Sequence, residues 1–257
     1  MEISSKNNSK IKELKKLIKE QNDYLLIEGM KLFCEAVKSE IQIEKIYIDK
    51  ANIDCLSKAY PLYKNCEIVF VDNDILSEGY TTDSCPGSND LILALAKRPQ
   101  WNIEPVLKSK KNLIFLERIQ DPGNLGMILR SSLAFDSGAV CLSEESVCPF
   151  NTKVIRASAG AVFSMPVFLI SDFSAFCKQA KDHGYKIIST KINAKKTFEE
   201  IKFNSPLIFL FGNEGSGLSE KLIDSSDDVI RIPHSEKIES LNLGVSVSLV
   251  LWELYKG

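Results

Sequence analysis

The sequence has few histidines and tryptophans, two of each in 257 residues, and no marked excess of charge of either sign. Two histidines and the absence of any Cys-x-x-Cys pair leave its seven cysteines without a zinc-site pattern, so no metal centre is expected. Scattered and odd in number, the cysteines read as reduced thiols rather than a disulfide framework. Long hydrophobic runs are missing too: the longest, near the C-terminus, carries Ser246 and Ser248 and falls short of the ~18–20 residues that span a bilayer, which excludes a membrane protein. The opening MEISSKNNSKIKELKKLIKE is charged throughout and lacks the apolar stretch and cleavage site of a secretory signal, so the cytosol is the expected location. The net charge of -2 is evenly divided, with 16 Lys and Arg against 17 Asp and Glu in residues 1–110 and the same numbers in 111–257. Any phosphate-contacting surface must therefore be local.

What is present, 44% hydrophobic and 26% charged residues, suits a globular chain of one large or two smaller domains. The first third predicts a helix over about 8–20, an apolar segment at 24–27, a helix over 29–39 and strands at 45–49, 67–72 and 91–96, an α/β unit. Lysines at 6, 10, 12, 15, 16 and 19 make the first helix basic; its stripe of Ile11, Leu14, Leu17 and Ile18 equally suits an ordinary surface helix. The proline-containing, aperiodic stretch KRPQWNIEPVLKSKK reads as a linker, giving domains at 1–97 and 112–257 joined by 98–111. The second domain predicts strands at 113–117, 139–142, 167–170, 186–190, 207–211 and 229–232. Helices are expected at 124–135, 152–159, 172–182 and from about 241. Its strands are short, apolar and unalternating, as in a parallel sheet covered on both faces, where ligands sit at the carboxyl ends of strands.

Three loops follow such strand ends. The loop after Phe211, GNEGSGLSE, matches a phosphate-binding G-x-x-x-x-G-K-S at its glycines and final serine, but Leu218 replaces the lysine and Glu214 adds a negative charge. That argues against a nucleotide hydrolase and leaves either a tight turn or a backbone-lined ligand loop. The loop after Glu117 contains the turn Asp121-Pro122-Gly123, with Asn124 a good helix N-cap and Arg130 six residues on. Arg130 lies in an otherwise uncharged stretch: it is either an exposed helix arginine or a buried one in need of a partner. The third, after Ile232-Pro233, brings Ser240-Leu241-Asn242 to the start of an apolar helix, where Ser and Asn also serve as simple caps.

Together the three segments resemble the signature motifs of the SpoU/TrmH family of RNA ribose 2'-O-methyltransferases, in the SPOUT superfamily. Asn124-Leu-Gly126 with Arg130 is similar to the first motif, Phe211-Gly-Asn-Glu-Gly-Ser-Gly-Leu218 to the second, and Ile232-Pro233 with Ser240-Leu-Asn242 to the third, in the family's order. His234 departs from the usual Met, and Gly244 and Ser246 from the usual Ser and Ala. The resemblance implies an α/β SPOUT domain over 112–257 with a C-terminal trefoil knot, a feature rare enough that periodicity could not suggest it. It also implies S-adenosylmethionine as cofactor, a homodimer, and, more weakly from Tyr24–Ile27 and Glu28-Gly29, a smaller L30e-like α/β domain that binds RNA. Carried over by position, Thr190, Gly212, Asn213, Ile232, Leu241 and Asn242 would contact the cofactor, while Arg130, Asn124, Glu214, Ser240 and Asn242 would form the catalytic pocket.

The chemistry suits these residue types. Methyl transfer to a ribose 2'-oxygen is an in-line displacement by a weakly acidic hydroxyl, which must be aligned and relieved of its proton. Arg130 stays protonated, so it fits better as a clamp on the adjacent phosphate and a stabiliser of the developing oxyanion than as a base. Asn124 and Ser240 would orient Arg130 or the ribose, and Glu214 would hold the pocket's shape. The expectation is a ribosomal RNA methyltransferase. A transfer-RNA enzyme, or a non-catalytic RNA-binding or ribosome-assembly protein of the same fold, is the alternative. An RNA track would use the N-terminal lysines with Lys97, Arg98, Lys108, Lys110 and Lys111.

Overall fold

The computed structural model describes residues 2–3, 23–57, 66–81, 91–200 and 206–256, and the basic helix expected over 8–20 lies outside them. The chain divides into two compact units, one of residues 1–100 with 150–163 and one of 101–149 with 164–257.

The first unit is built on a five-stranded mixed sheet, ordered β1-β4-β3-β5-β2: β1 (Glu2–Ile3), β2 (Tyr24–Glu28), β3 (Ile43–Ile48), β4 (Glu67–Val71) and β5 (Ile92–Lys97). The last of these runs antiparallel to β2 and β3, while β4 is parallel to β3. One face packs Leu26, Tyr47, Val69, Leu93 and Leu95 into a closed cluster. The amphipathic helix α1 (Met30–Lys38) buries Phe33, Ala36 and Val37. Segment 150–163 joins this unit because its helix α6 (Thr152–Ala157) lies on β2, where Arg156 Nη2 meets Glu28 Oε2 at 3.4 Å. Glu28 is buried, and it also accepts from Thr81 N and Oγ1 at 2.6 and 2.7 Å, which satisfies a carboxylate that would otherwise be costly to bury.

The second unit is a seven-stranded sheet, every pair parallel, in the order β10-β12-β9-β11-β6-β7-β8. Its strands are β6 (Leu113–Leu116), β7 (Ala139–Ser143), β8 (Val167–Ile170), β9 (Lys186–Thr190), β10 (Lys196–Thr197), β11 (Leu207–Phe211) and β12 (Asp228–Arg231). All residues of β6 and β11 are buried, as expected for central strands covered on both faces. Phe115, Cys141, Ile187, Ile208 and Leu210 form its core with Phe176 and Tyr185 from the α7 side (Phe173–Asp182). Burial pushes the Cys141 and Cys177 thiols up to about 12, which keeps them protonated. Cys34, Cys66, Cys141, Cys148 and Cys177 are free. Among the described residues, no group of ligands could hold a metal ion and no helix is long and apolar enough to cross a membrane.

Chain direction places the site. From β6 the chain moves outward through β7 and β8, then returns to build β9, β11 and β12 on the other side. The order therefore reverses at the β6/β11 pair, where a crevice opens beyond the strands' carboxyl ends. The final helix α9 (Leu243–Lys256) packs on α5 (Pro122–Ala134), which follows β6.

Candidate active site

Helix α5 begins earlier than expected. Asp121 rather than Asn124 is its N-cap, accepting from Asn124 N at 2.7 Å, and Pro122 takes the first helical position, where no N–H is needed. Asn124 is thus released from capping, and its buried side chain turns to the other loops. Its Nδ2 donates to Glu214 Oε1 at 3.2 Å, and its Oδ1 accepts from Asn242 Nδ2 at 2.9 Å. One residue from each loop is joined in this chain of amides and carboxylate.

The loop after β11 closes on itself. Asn213 and Gly217 exchange backbone hydrogen bonds at 3.1 and 2.9 Å, and Asn213 Oδ1 accepts from Gly215 N and Ser216 N. A Cβ at Gly212 would stand 1.9 Å from Gly217 C and 2.1 Å from Leu218 N, so only glycine allows this fold-back. The loop is tied to the first motif as well: Asn213 Nδ2 donates to Arg118 O at 2.9 Å, and Ser219 N to Glu117 Oε2 at 2.7 Å.

In the third loop Asn242 both caps and bridges. Its Oδ1 accepts from Val245 N at 3.2 Å while its amide reaches Asn124. His234 Nδ1 donates to Ile232 O at 2.9 Å, stabilising the turn locally. At Gly244 a Cβ would come within 2.7 Å of Met127 Cε, the free end of a flexible and exposed side chain that can turn aside. Between α5 and α9 the Ser131 and Ser248 hydroxyls lie 2.8 Å apart.

The three loops surround a cavity of about 760 Å³, within the range of small-molecule sites. Thr190, Gly212, Asn213, Ile232, Leu241 and Asn242 line it, and so do Asn124, Glu214 and Ser240. Arg130 is not among its lining residues: it lies exposed on α5, and its side chain makes no hydrogen bond or ion pair among the described residues. Sequence reasoning missed Lys191, Ile192, Asn193 and Glu239, which also line the cavity. The first three follow the carboxyl end of β9, a signal the strand pattern already carried. Of the basic residues considered as an RNA track, Lys97, Lys108 and Lys111 are paired with Glu44, Glu104 and Asp136. Arg98 donates to Tyr24 O and sits over the Phe150 ring.

A doubly wound parallel sheet with three loops, distant in sequence, meeting over a cavity at its switch point defines a ligand-binding α/β domain. That domain coincides with the profile of the SpoU rRNA Methylase family, which matches residues 111–252, and the chain belongs to that family. Over 258 residues, 98% of each chain, it is 27% identical to the 23S rRNA (guanosine(2553)-2'-O)-methyltransferase RlmP of Bacillus subtilis. It is 34% identical over 164 residues to the uncharacterized tRNA/rRNA methyltransferase slr1673 of Synechocystis, a match covering 64% of this chain and 60% of that protein's length. The fold resembles that of the AdoMet-bound rRNA methyltransferase of Sinorhizobium meliloti, with a TM-score of 0.84, 22% identity and coverage of 100% and 97%.

Proposed function

We propose that the protein transfers a methyl group from S-adenosylmethionine to a ribose 2'-hydroxyl of ribosomal RNA, acting in the cytoplasm. The observation that carries this is the convergence of Asn124, Glu214 and Asn242, joined by hydrogen bonds in the lining of one cavity. Family membership and the RlmP match support the reaction and the substrate class. The cavity suits the cofactor: Gly212, Gly215 and Gly217 leave backbone groups uncovered by side chains, and Ile232 and Leu241 supply apolar contacts. Bound there, the cofactor supplies an electrophilic methyl. Asn124 and Ser240 orient the ribose, Glu214 fixes Asn124, and Arg130 clamps the phosphate beside the reacting hydroxyl.

The same reading includes a homodimer, a threaded C-terminus and an RNA-binding L30e-like unit; the stretch 98–111 expected as a linker instead contains a helix, Ile103–Ser109, whose Leu107 is buried in the second unit's core. Helices α5 and α9 leave Met127, Leu133, Val245, Leu249, Trp252 and Tyr255 exposed, which supports a second copy packing there and supplying the surroundings that Arg130 lacks in one chain. The return of the chain from β12, beside β9, to put α9 against α5 supports the knot. Labelled methyl from S-adenosylmethionine tests the function: alkali-resistant label in ribosomal RNA, absent with Arg130→Ala, is expected. Label in transfer RNA alone, or none with the cofactor bound, would overturn the substrate or the activity.

A further inference from the structure

The turn between β6 and α5 contains a residue that neither its conformation nor its contacts explain. Arg118 has a φ of 50°, in the left-handed region that bulky side chains avoid. Its backbone is fully used: N donates to Ser143 Oγ at 2.8 Å, and O accepts from Asn213 Nδ2 at 2.9 Å. The turn is thus needed to join the first two motif loops, and glycine would make it without strain. The arginine side chain contributes nothing to this: its Nε is buried without a hydrogen-bond partner, and the guanidinium makes no ion pair among the described residues. Three carboxylates of the adjoining loops hold other groups. Glu117 accepts from Ser219 N, Asp121 caps α5, and Glu214 holds Asn124.

A guanidinium is always charged and offers the planar fork of its terminal N–H groups to an anion, so strain together with an unpaired guanidinium charge indicates a ligand. We infer that Arg118 is a second phosphate anchor, binding the backbone of the substrate RNA at the edge of the site. Two anions are available, an RNA phosphate and the carboxylate of S-adenosylmethionine. Arg118 does not line the cavity, which favours the RNA. The inference rests on the proposed function, and Arg118 is a positioning residue that does not touch the reacting atoms.

Arg118→Gly removes the fork while relaxing the turn, and Arg118→Met keeps the stem without the charge. Affinity for 23S ribosomal RNA stripped of protein is measured from 50 to 300 mM salt, alongside affinity for S-adenosylmethionine and the Tm. Expected for both variants is RNA binding several-fold weaker, with the slope of log affinity against log salt shallower by about one, as one lost phosphate contact requires. Cofactor affinity stays unchanged, and the Gly variant melts no lower than wild type. Unchanged RNA affinity and slope would overturn the anchor. Weakened cofactor binding with RNA binding intact would reassign the arginine to the cofactor's carboxylate. Wild-type protein that binds no RNA would instead reject the proposed function, and the anchor with it.

Discussion

At the scale of single residues, the site depends on groups whose hydrogen bonds leave little slack. Asn124 is donor to Glu214 and acceptor from Asn242, so Asn124→Ala takes the Asn124 amide donor from Glu214 and leaves the Asn242 amide without its acceptor in a partly buried setting. Methyl transfer should fall ~10²-fold or more in the Asn124→Ala protein, while the melting temperature drops by only a few degrees. Steady-state transfer and thermal melting measure the two effects. Arg130 makes the opposite prediction: exposed and without a partner, it should be replaceable by alanine with no loss of stability and no more than a twofold change in cofactor affinity, yet with transfer abolished. A folded Arg130→Ala protein that transfers at the wild-type rate removes its assigned role. The sequence supplied Asn124, Glu214 and Asn242 as candidates through motif resemblance. What it could not supply was their mutual bonding, because that depends on Asp121 taking the cap and leaving the Asn124 amide free.

At the scale of elements, the loop after β11 exists because residue 212 is glycine. Gly212→Ala drives a methyl to within 1.9 Å of Gly217 C, a clash with backbone that no side-chain rotation relieves. The loop must open, and cofactor affinity should fall by at least tenfold in isothermal titration; unchanged affinity would separate the fold-back from binding. Most elements were legible in the sequence: the unalternating apolar runs of β6, β7, β9 and β11 announced a parallel sheet, and the motif loops fell at strand ends as that sheet requires. Less legible were boundaries set by tertiary contacts. The two-residue strand β10 carries no periodicity, and segment 150–163, read as one more helix of the second domain, belongs with the first unit through Glu28 and Arg156. Strand order, and hence the switch point, follows from crossovers that a linear pattern does not encode.

At the scale of the whole molecule, two behaviours follow. If the exposed face of α5 and α9 is the dimer surface, Leu249→Glu puts a charge into its apolar centre, and sedimentation should shift from twice the 28.8 kDa chain mass to the single chain. The second concerns alkali. Cys141 ionises at 9.0 in the ordinary state but about 12 when buried, so the folded protein retains a proton that the unfolded chain releases. Stability from this group is intact below pH 9.0 and declines as pH rises toward about 12, by up to ~1.4 kcal/mol per pH unit. Burial raises Tyr185 from 10.0 to about 12, which adds to the loss at the upper end of that range. Urea unfolding at pH 8 and pH 10.5 checks the sign: Cys141→Ala should flatten the decline, and stability that rises with pH would contradict it.

The most direct test of the central claim is transfer of labelled methyl from S-adenosylmethionine to protein-free 23S ribosomal RNA, followed by alkaline hydrolysis. Label held in an alkali-resistant dinucleotide is the signature of a 2'-O-methyl group and is the predicted result. Label released with mononucleotides would place the methyl on a base and contradict the reaction assigned to this site.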